Sequence, residues 1–117
     1  MQTIREFTSA LRRRPGVNAV LVSGRDGLLI EGGANASLDL HDLAARIPSF
    51  ITEAVQLGEA ARVGGCNTCI VEYGDGFAVV TTLGSDSLLT VLASKSAELG
   101  PLLFEIRSQR SRLESLL

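Results

Sequence analysis

Between Asp39 and about Arg62 the apolar residues are Leu40, Leu43, Ala44, Ile47, Phe50, Ile51, Ala54, Val55, Leu57 and Ala61. At ~100° per residue they span an arc of about 160° on one helix. A helix lying on a single surface needs a stripe of only ~100°. The chain must therefore fold around a long helix with more apolar surface than one sheet face uses, and part of that surface is expected to meet a partner. The opposite side carries Asp42, Ser49, Thr52, Glu53, Gln56 and Glu59, a water-facing set. Pro48 falls inside the segment and predicts a kink or a break, because its ring removes a donor and crowds the preceding turn. Gly64-Gly65 supplies the expected stop.

The flanking segments read as short elements. Ile4, Phe7 and Leu11 form one helical stripe, closed by Arg12, Arg13 and Arg14 and stopped by Pro15-Gly16. Val17–Ser23 and Leu28–Glu31 are β-rich runs around Gly24-Arg25-Asp26-Gly27, a hairpin signal, and Gly32–Ser37 reads as a loop. Thr68–Tyr73, Phe77–Leu83 and Ser87–Ala93 follow as a meander with short turns. Leu99, Leu102, Leu103, Ile106, Leu113, Leu116 and Leu117 place an amphipathic helix at the end, with Pro101 near its start. The order is α-β-β-α-β-β-β-α. Five strands in one antiparallel sheet and helices for both faces predict an α+β, three-layer α/β/α sandwich, one domain over residues 1–117.

Composition narrows the function. The 117 residues are 45% hydrophobic and 21% charged, enough to bury a core without disulfides or metal. A formal charge of −2 gives no reason to expect nucleic acid or an anionic membrane as partner. The charged N-terminus lacks the apolar core of a signal peptide, and no stretch approaches a membrane span. Two cysteines without secretory context fit a reducing compartment, so the chain is read as cytoplasmic.

Pro15-Gly16-Val17, Val20-Leu21-Val22-Ser23 and Asp26-Gly27-Leu28-Leu29-Ile30 occur in order. Downstream come Asp42-Leu43-Ala44-Ala45, Gly76-Phe77-Ala78-Val79-Val80, Leu83-Gly84-Ser85-Asp86, Leu88-Leu89 with Val91-Leu92-Ala93, then Gly100 and Phe104-Glu105-Ile106-Arg107. Together, over nearly the whole chain, they resemble a Roadblock domain. That is the family of dynein light chains and of bacterial and archaeal regulators of small Ras-like GTPases. Pro48 and the Cys66/Cys69 pair depart from the family's pattern and leave the helix's straightness and the third strand's start open.

The resemblance implies a Roadblock/profilin-like fold and a homodimer or heterodimer, or a higher oligomer. Third strands would pair edge to edge and middle helices would pack together. The broad apolar arc supports a partner independently. Phe50, Ala54, Leu57, Ala61, Ile70 and Glu72 are assigned to self-association. Ser49, Thr52, Glu53 and Gln56 are assigned to a surface facing a small Ras-like GTPase, which a non-enzymatic module of this kind would regulate as an activating or nucleotide-state-biasing partner. The alternative is a scaffold or adaptor dimer of a signalling or motor complex without a GTPase.

Candidate chemistry is sparse. Cys66-Asn67-Thr68-Cys69 has the spacing of half a zinc site, but four ligands are needed and His41 is the only histidine. A redox pair normally precedes a helix, whereas this one leads into a strand, whose alternation predicts the two side chains on opposite faces. Structural cysteines are the expected reading; a thiol- or zinc-dependent protein is a third reading, and an interchain disulfide requires Cys66 at the pairing edge. His41 has no nucleophile or orienting carboxylate in any motif. The glycine pairs fit no phosphate-binding pattern. No cofactor, metal or catalytic residue is expected.

Overall fold

The computed structural model describes residues 2–35 and 37–117. The elements follow the expected order: α1 (Ile4–Arg12), β1 (Val17–Gly24), β2 (Leu29–Ala34), α2 (Leu40–Ala61), β3 (Thr68–Tyr73), β4 (Gly76–Leu83), β5 (Ser87–Ser94) and α3 (Leu99–Ser115). The strands form one sheet in the order β2-β1-β5-β4-β3. Every pairing is antiparallel. The α+β sandwich expected from the sequence is the fold observed.

Both sheet faces are covered, and the alternation of side chains along each strand divides the core in two. Val20, Val22, Val79, Leu89 and Val91 point to one face, where they meet Phe7 and Leu11 of α1 and Leu102, Ile106 and Leu113 of α3. Their neighbours point the other way, toward α2. There Ala19 and Leu21 pack with Ala44, while Val80 and Leu88 lie under Ile47 and Ile51. Burial on both faces explains the nearly unbroken apolar run Val17–Val22, which has little of the alternation of a half-exposed strand.

Local chemistry sets the ends. Thr3 caps α1 by accepting from the Glu6 amide at 3.1 Å, and Asp39 caps α2 by accepting from the Asp42 amide at 3.1 Å. In the first hairpin the Leu28 amide donates to Asp26 Oδ1 at 3.0 Å, and Gly27 takes φ +85°. Leu28 belongs to this turn and is exposed, although the sequence pattern placed it in the strand.

Three local expectations are corrected. Gly32, Gly33 and Ala34, read as loop, continue β2 opposite Leu21, Val20 and Ala19. A Cβ at Gly32 would come within 2.8 Å of the Val20 carbonyl oxygen, and one at Gly33 would meet the Arg12 guanidinium. The glycines here serve close approach rather than a turn, and Ala36, in the same expected loop, lies outside the described residues. Of the two outcomes expected at Pro48, a kink or a break, the break does not occur, since α2 runs on to Ala61. Ile47 and Ile51, buried on the sheet around it, hold both halves in place against the lost hydrogen bond. The helix ends at Arg62, in the left-handed region with φ 58°, and not at the glycine pair. Its amide reaches the Glu59 carbonyl at 3.2 Å, and the Val63 amide reaches that of Gly58 at 3.1 Å. Gly58 permits this return, because a Cβ there would sit 2.8 Å from the Gly64 carbonyl oxygen.

Ser23 is fully buried in β1, and its hydroxyl has no hydrogen-bond partner among the described residues. An unpaired buried polar group costs about 1–3 kcal/mol. Ser23→Ala is therefore expected to raise the unfolding midpoint, by an amount on the order of 1 kcal/mol in denaturant titration.

Candidate functional site

The surface of interest grows from the way α2 sits on the sheet. Leu43, Ile47, Phe50, Ala54, Leu57 and Ala61 follow one another at steps of four and three, the spacing of a helix-packing seam. The sheet takes only one flank of the apolar arc, through Ala44, Ile47 and Ile51. The other flank is open. Phe50 is 37% exposed and Leu57 71% exposed, and Ala61 is exposed beyond them.

Beside that flank runs β3, an outer strand of the sheet. Among the described residues it pairs only with β4, from Thr68 opposite Thr81 to Tyr73 opposite Gly76, and its other row of backbone donors and acceptors has no partner there. The opposite edge is treated differently. α1 lies against β2, with Arg5 and Glu31 3.5 Å apart and Arg12 over Gly33. Natural sheets usually shield or charge an edge that must stay single. Here β2 has α1 packed over its face and its Gly32 amide donating to the Glu31 carboxylate at 3.0 Å, with Ile30 49% exposed; β3 presents Ile70 at 45% and Tyr73 at 59% exposure.

Two hollows lie along this border. One of about 240 Å³ is lined by Ile47, Phe50, Val71, Tyr73 and Val80 among others. A larger open groove of about 830 Å³ runs from Ala54, Leu57 and Ala61 past Cys66 and Cys69 to Arg107 and Arg110. Arg110 is held by Thr82 Oγ1 at 2.7 Å and by Glu114 at 3.3 Å.

The expected residues divide into three groups. Phe50, Ala54, Leu57 and Ala61 share the open flank of α2 and its hollows. Ile70 and Glu72 sit on the same strand edge but point to the α1/α3 side, since Cys69, Val71 and Tyr73 take the α2 side. Ser49, Thr52, Glu53 and Gln56 are all exposed on the side of α2 turned away from the sheet. Tyr73 and Val63, 59% and 77% exposed along the same border, were not singled out from the sequence. The alternation of Cys69, Val71 and Tyr73 was the signal for the first; nothing marked Val63.

The cysteines overturn an expectation. Their sulfurs are 3.4 Å apart, not on opposite faces. Strand alternation governs Cys69, but β3 starts only at Thr68, and Cys66 belongs to the loop that folds back from α2. Burial first, and then the hydrogen bond with Cys66, pushes the Cys69 thiol up to about 11, so it stays protonated at neutral pH. No group of three or more His, Cys, Asp or Glu side chains that could hold a metal occurs among the described residues. His41 is exposed at the start of α2, and Arg14 lies 3.6 Å from Glu105.

The sequence matches the Roadblock/LC7 domain over residues 3–93. The chain belongs to this family. Among solved structures, the Roadblock/LC7 domain from Streptomyces avermitilis aligns with a TM-score of 0.81 at 22% identity, covering 97% of this chain and 93% of that one. MglB from Myxococcus xanthus aligns with a TM-score of 0.86 at 16% identity, covering 98% and 97%. The gliding protein MglB from Thermus thermophilus gives 0.83 at 16% identity, covering 95% and 85%. At such identities the shared property is the fold. Comparison with curated proteins by sequence finds no match. Roadblock/LC7 domains are in general non-enzymatic interaction modules. No described helix of this one is long and apolar enough to cross a membrane.

Proposed function

We propose that this Roadblock/LC7 chain, one domain over 1–117, pairs with a second copy through α2 and β3. The composite surface then binds a small Ras-like GTPase and biases its nucleotide state. One observation carries the reading: an apolar helix flank and an unpaired strand edge border each other. Antiparallel pairing of two β3 edges would extend the sheet across the dimer, giving its loose backbone groups partners. Two α2 helices brought side by side would remove Phe50, Leu57 and Ala61 from water. Among the similar structures is an MglB with a tetrameric arrangement, an assembly of that protein compatible with such use of the fold.

Regulation in this form needs no reacting group. A surface that fits one arrangement of a GTPase's switch segments better than another shifts the population toward it. Ser49, Thr52, Glu53 and Gln56 would supply the polar contacts, exposed beside the paired helices. The deciding experiment measures capture of a Ras-like GTPase from the same genome, loaded with GDP or a GTP analogue, together with its nucleotide turnover. Preferential capture of one state and altered turnover are expected. Replacing Thr52 and Glu53 together with Arg is expected to lower capture at least ~10-fold (about 1.4 kcal/mol) while leaving self-association intact. A dimer that captures neither state would overturn the GTPase reading and leave a scaffold dimer.

A further inference from the structure

Cys66-Asn67-Thr68-Cys69 is the motif that the interaction surface leaves unused. The two sulfurs are in van der Waals contact at 3.4 Å, and both cysteines are free thiols. Cys69 is anchored: it is a ladder residue of β3 opposite Val80 and packs against the cluster of Ile47, Ile51 and Leu88. Cys66 sits on the loop from α2, preceded by Gly64 and Gly65. A Cβ at either glycine would meet nothing within 4 Å, and Gly64 already takes φ +95°. Cys66 thus sits on a loop with open space beside its two glycines, whereas Cys69 is held in the strand ladder. In the single chain both thiols line the open groove, opposite Ala54, Leu57 and Ala61 and with Arg107 and Arg110 on its wall, so pairing through α2 would narrow an oxidant's access to them.

We propose that Cys66 and Cys69 form a reversible oxidation site, an intrachain dithiol converted to a disulfide by exchange with a small anionic disulfide of the glutathione type. Cys66 loses its proton and attacks one sulfur of the small disulfide, whose S–S bond breaks; the departing thiolate takes up a proton. Cys69 then gives up its proton and attacks the Cys66 sulfur of the mixed disulfide, and the second small thiol leaves protonated. The two protein thiols lose two electrons in all, and the small disulfide gains them as two thiols. Bond formation draws the sulfurs from contact to about 2.05 Å, a shift the glycine-flanked loop can absorb. The arginines favour the carboxylates of the oxidant. Burial that disfavours the Cys69 thiolate leaves two neutral end states, the thiol and the disulfide. Once formed, the bond ties the chain leaving α2 to the head of the free strand edge.

The full chain, equilibrated in mixtures of reduced and oxidised glutathione and then alkylated, tests this by intact mass and non-reducing peptide mapping. The expected product has lost two hydrogens and the alkylation of both cysteines together. It carries a Cys66–Cys69 link within one chain, shows slowed amide exchange at residues 63–70, and reverts with excess reduced thiol. Cys69→Ser is expected to trap glutathione on Cys66 at least ~10-fold more than the unaltered chain does, because the resolving thiol is gone. Stable glutathione adducts on the unaltered chain, links between chains, or no oxidation in glutathione disulfide alone would each overturn the proposal. Repeated at dilutions where the chain is monomeric, the readouts separate an unreactive pair from a groove closed by self-association; they do not depend on GTPase binding, and those on the unaltered chain do not depend on a variant folding.

Discussion

Leu57→Glu is expected to turn the proposed dimer into a monomer. Leu57 lies on the open flank of α2 and is 71% exposed in the single chain, so its side chain contributes little to the fold. Against a second copy it would be buried, and burial of a leucine is worth about 1.5–3 kcal/mol. A two-fold interface counts the change twice, about 3–6 kcal/mol per dimer. At about 1.4 kcal/mol per decade the dissociation constant weakens roughly 100- to 10,000-fold, before the cost of burying a carboxylate is added. Sedimentation velocity across a concentration series reads the shift, and a thermal melt checks that the fold is unchanged. A dimer constant equal to that of the unaltered chain would place the interface elsewhere.

Leu88→Ala is expected to show the largest loss of stability. Leu88 is fully buried on β5, in one cluster with Ile47 and Ile51 of α2 and Val80 of β4. Truncating a buried leucine removes its transfer energy and leaves a cavity, together about 2–5 kcal/mol. Set against a typical total of about 5–15 kcal/mol, this takes a large share. The midpoint should fall on the order of 10–20 °C in calorimetry. Because the cavity opens under α2, self-association should weaken as well, through a looser helix and not through a lost contact. A fall smaller than about 3 °C would show that Ile47 and Ile51 can settle into the space and that α2 is less tightly seated than its burial indicates.

The elements and their class were legible because they rest on local signals. Ile4, Phe7 and Leu11 recur at helical spacing, Asp26-Gly27 sits between two β-rich runs, and Pro15-Gly16 interrupts the pattern. These signals fail where a neighbour distant in sequence decides. Gly32 and Gly33 look like loop residues, yet they are strand residues because the Val20 carbonyl and the Arg12 side chain leave no room for a Cβ. Pro48 looks like a breaker, yet buried isoleucines on both sides keep α2 continuous. Cys66 and Cys69 look separated by strand alternation, yet the strand begins between them.

The candidate site was half legible in the same sense. That part of the apolar arc is left over follows from its width alone, since any single sheet face leaves some of it unused. Which flank is left over does not follow, because the rotation of α2 is set by how Ala44, Ile47 and Ile51 seat on the sheet. Nor does the difference between the sheet's two edges, one with α1 packed over the adjoining face and the other bordering the open flank of α2.

The sequence by itself determined that a helix with surplus apolar surface lies at the middle of a five-stranded α+β domain of the Roadblock type. Periodicity and turn chemistry are local, and they survive any arrangement of the pieces. Only the tertiary structure decided that the surplus borders the unpaired edge of β3, that glycines extend β2, and that two thiols meet at the head of the free strand. Each of those depends on atoms far apart in the chain, whose positions follow from packing and not from spacing.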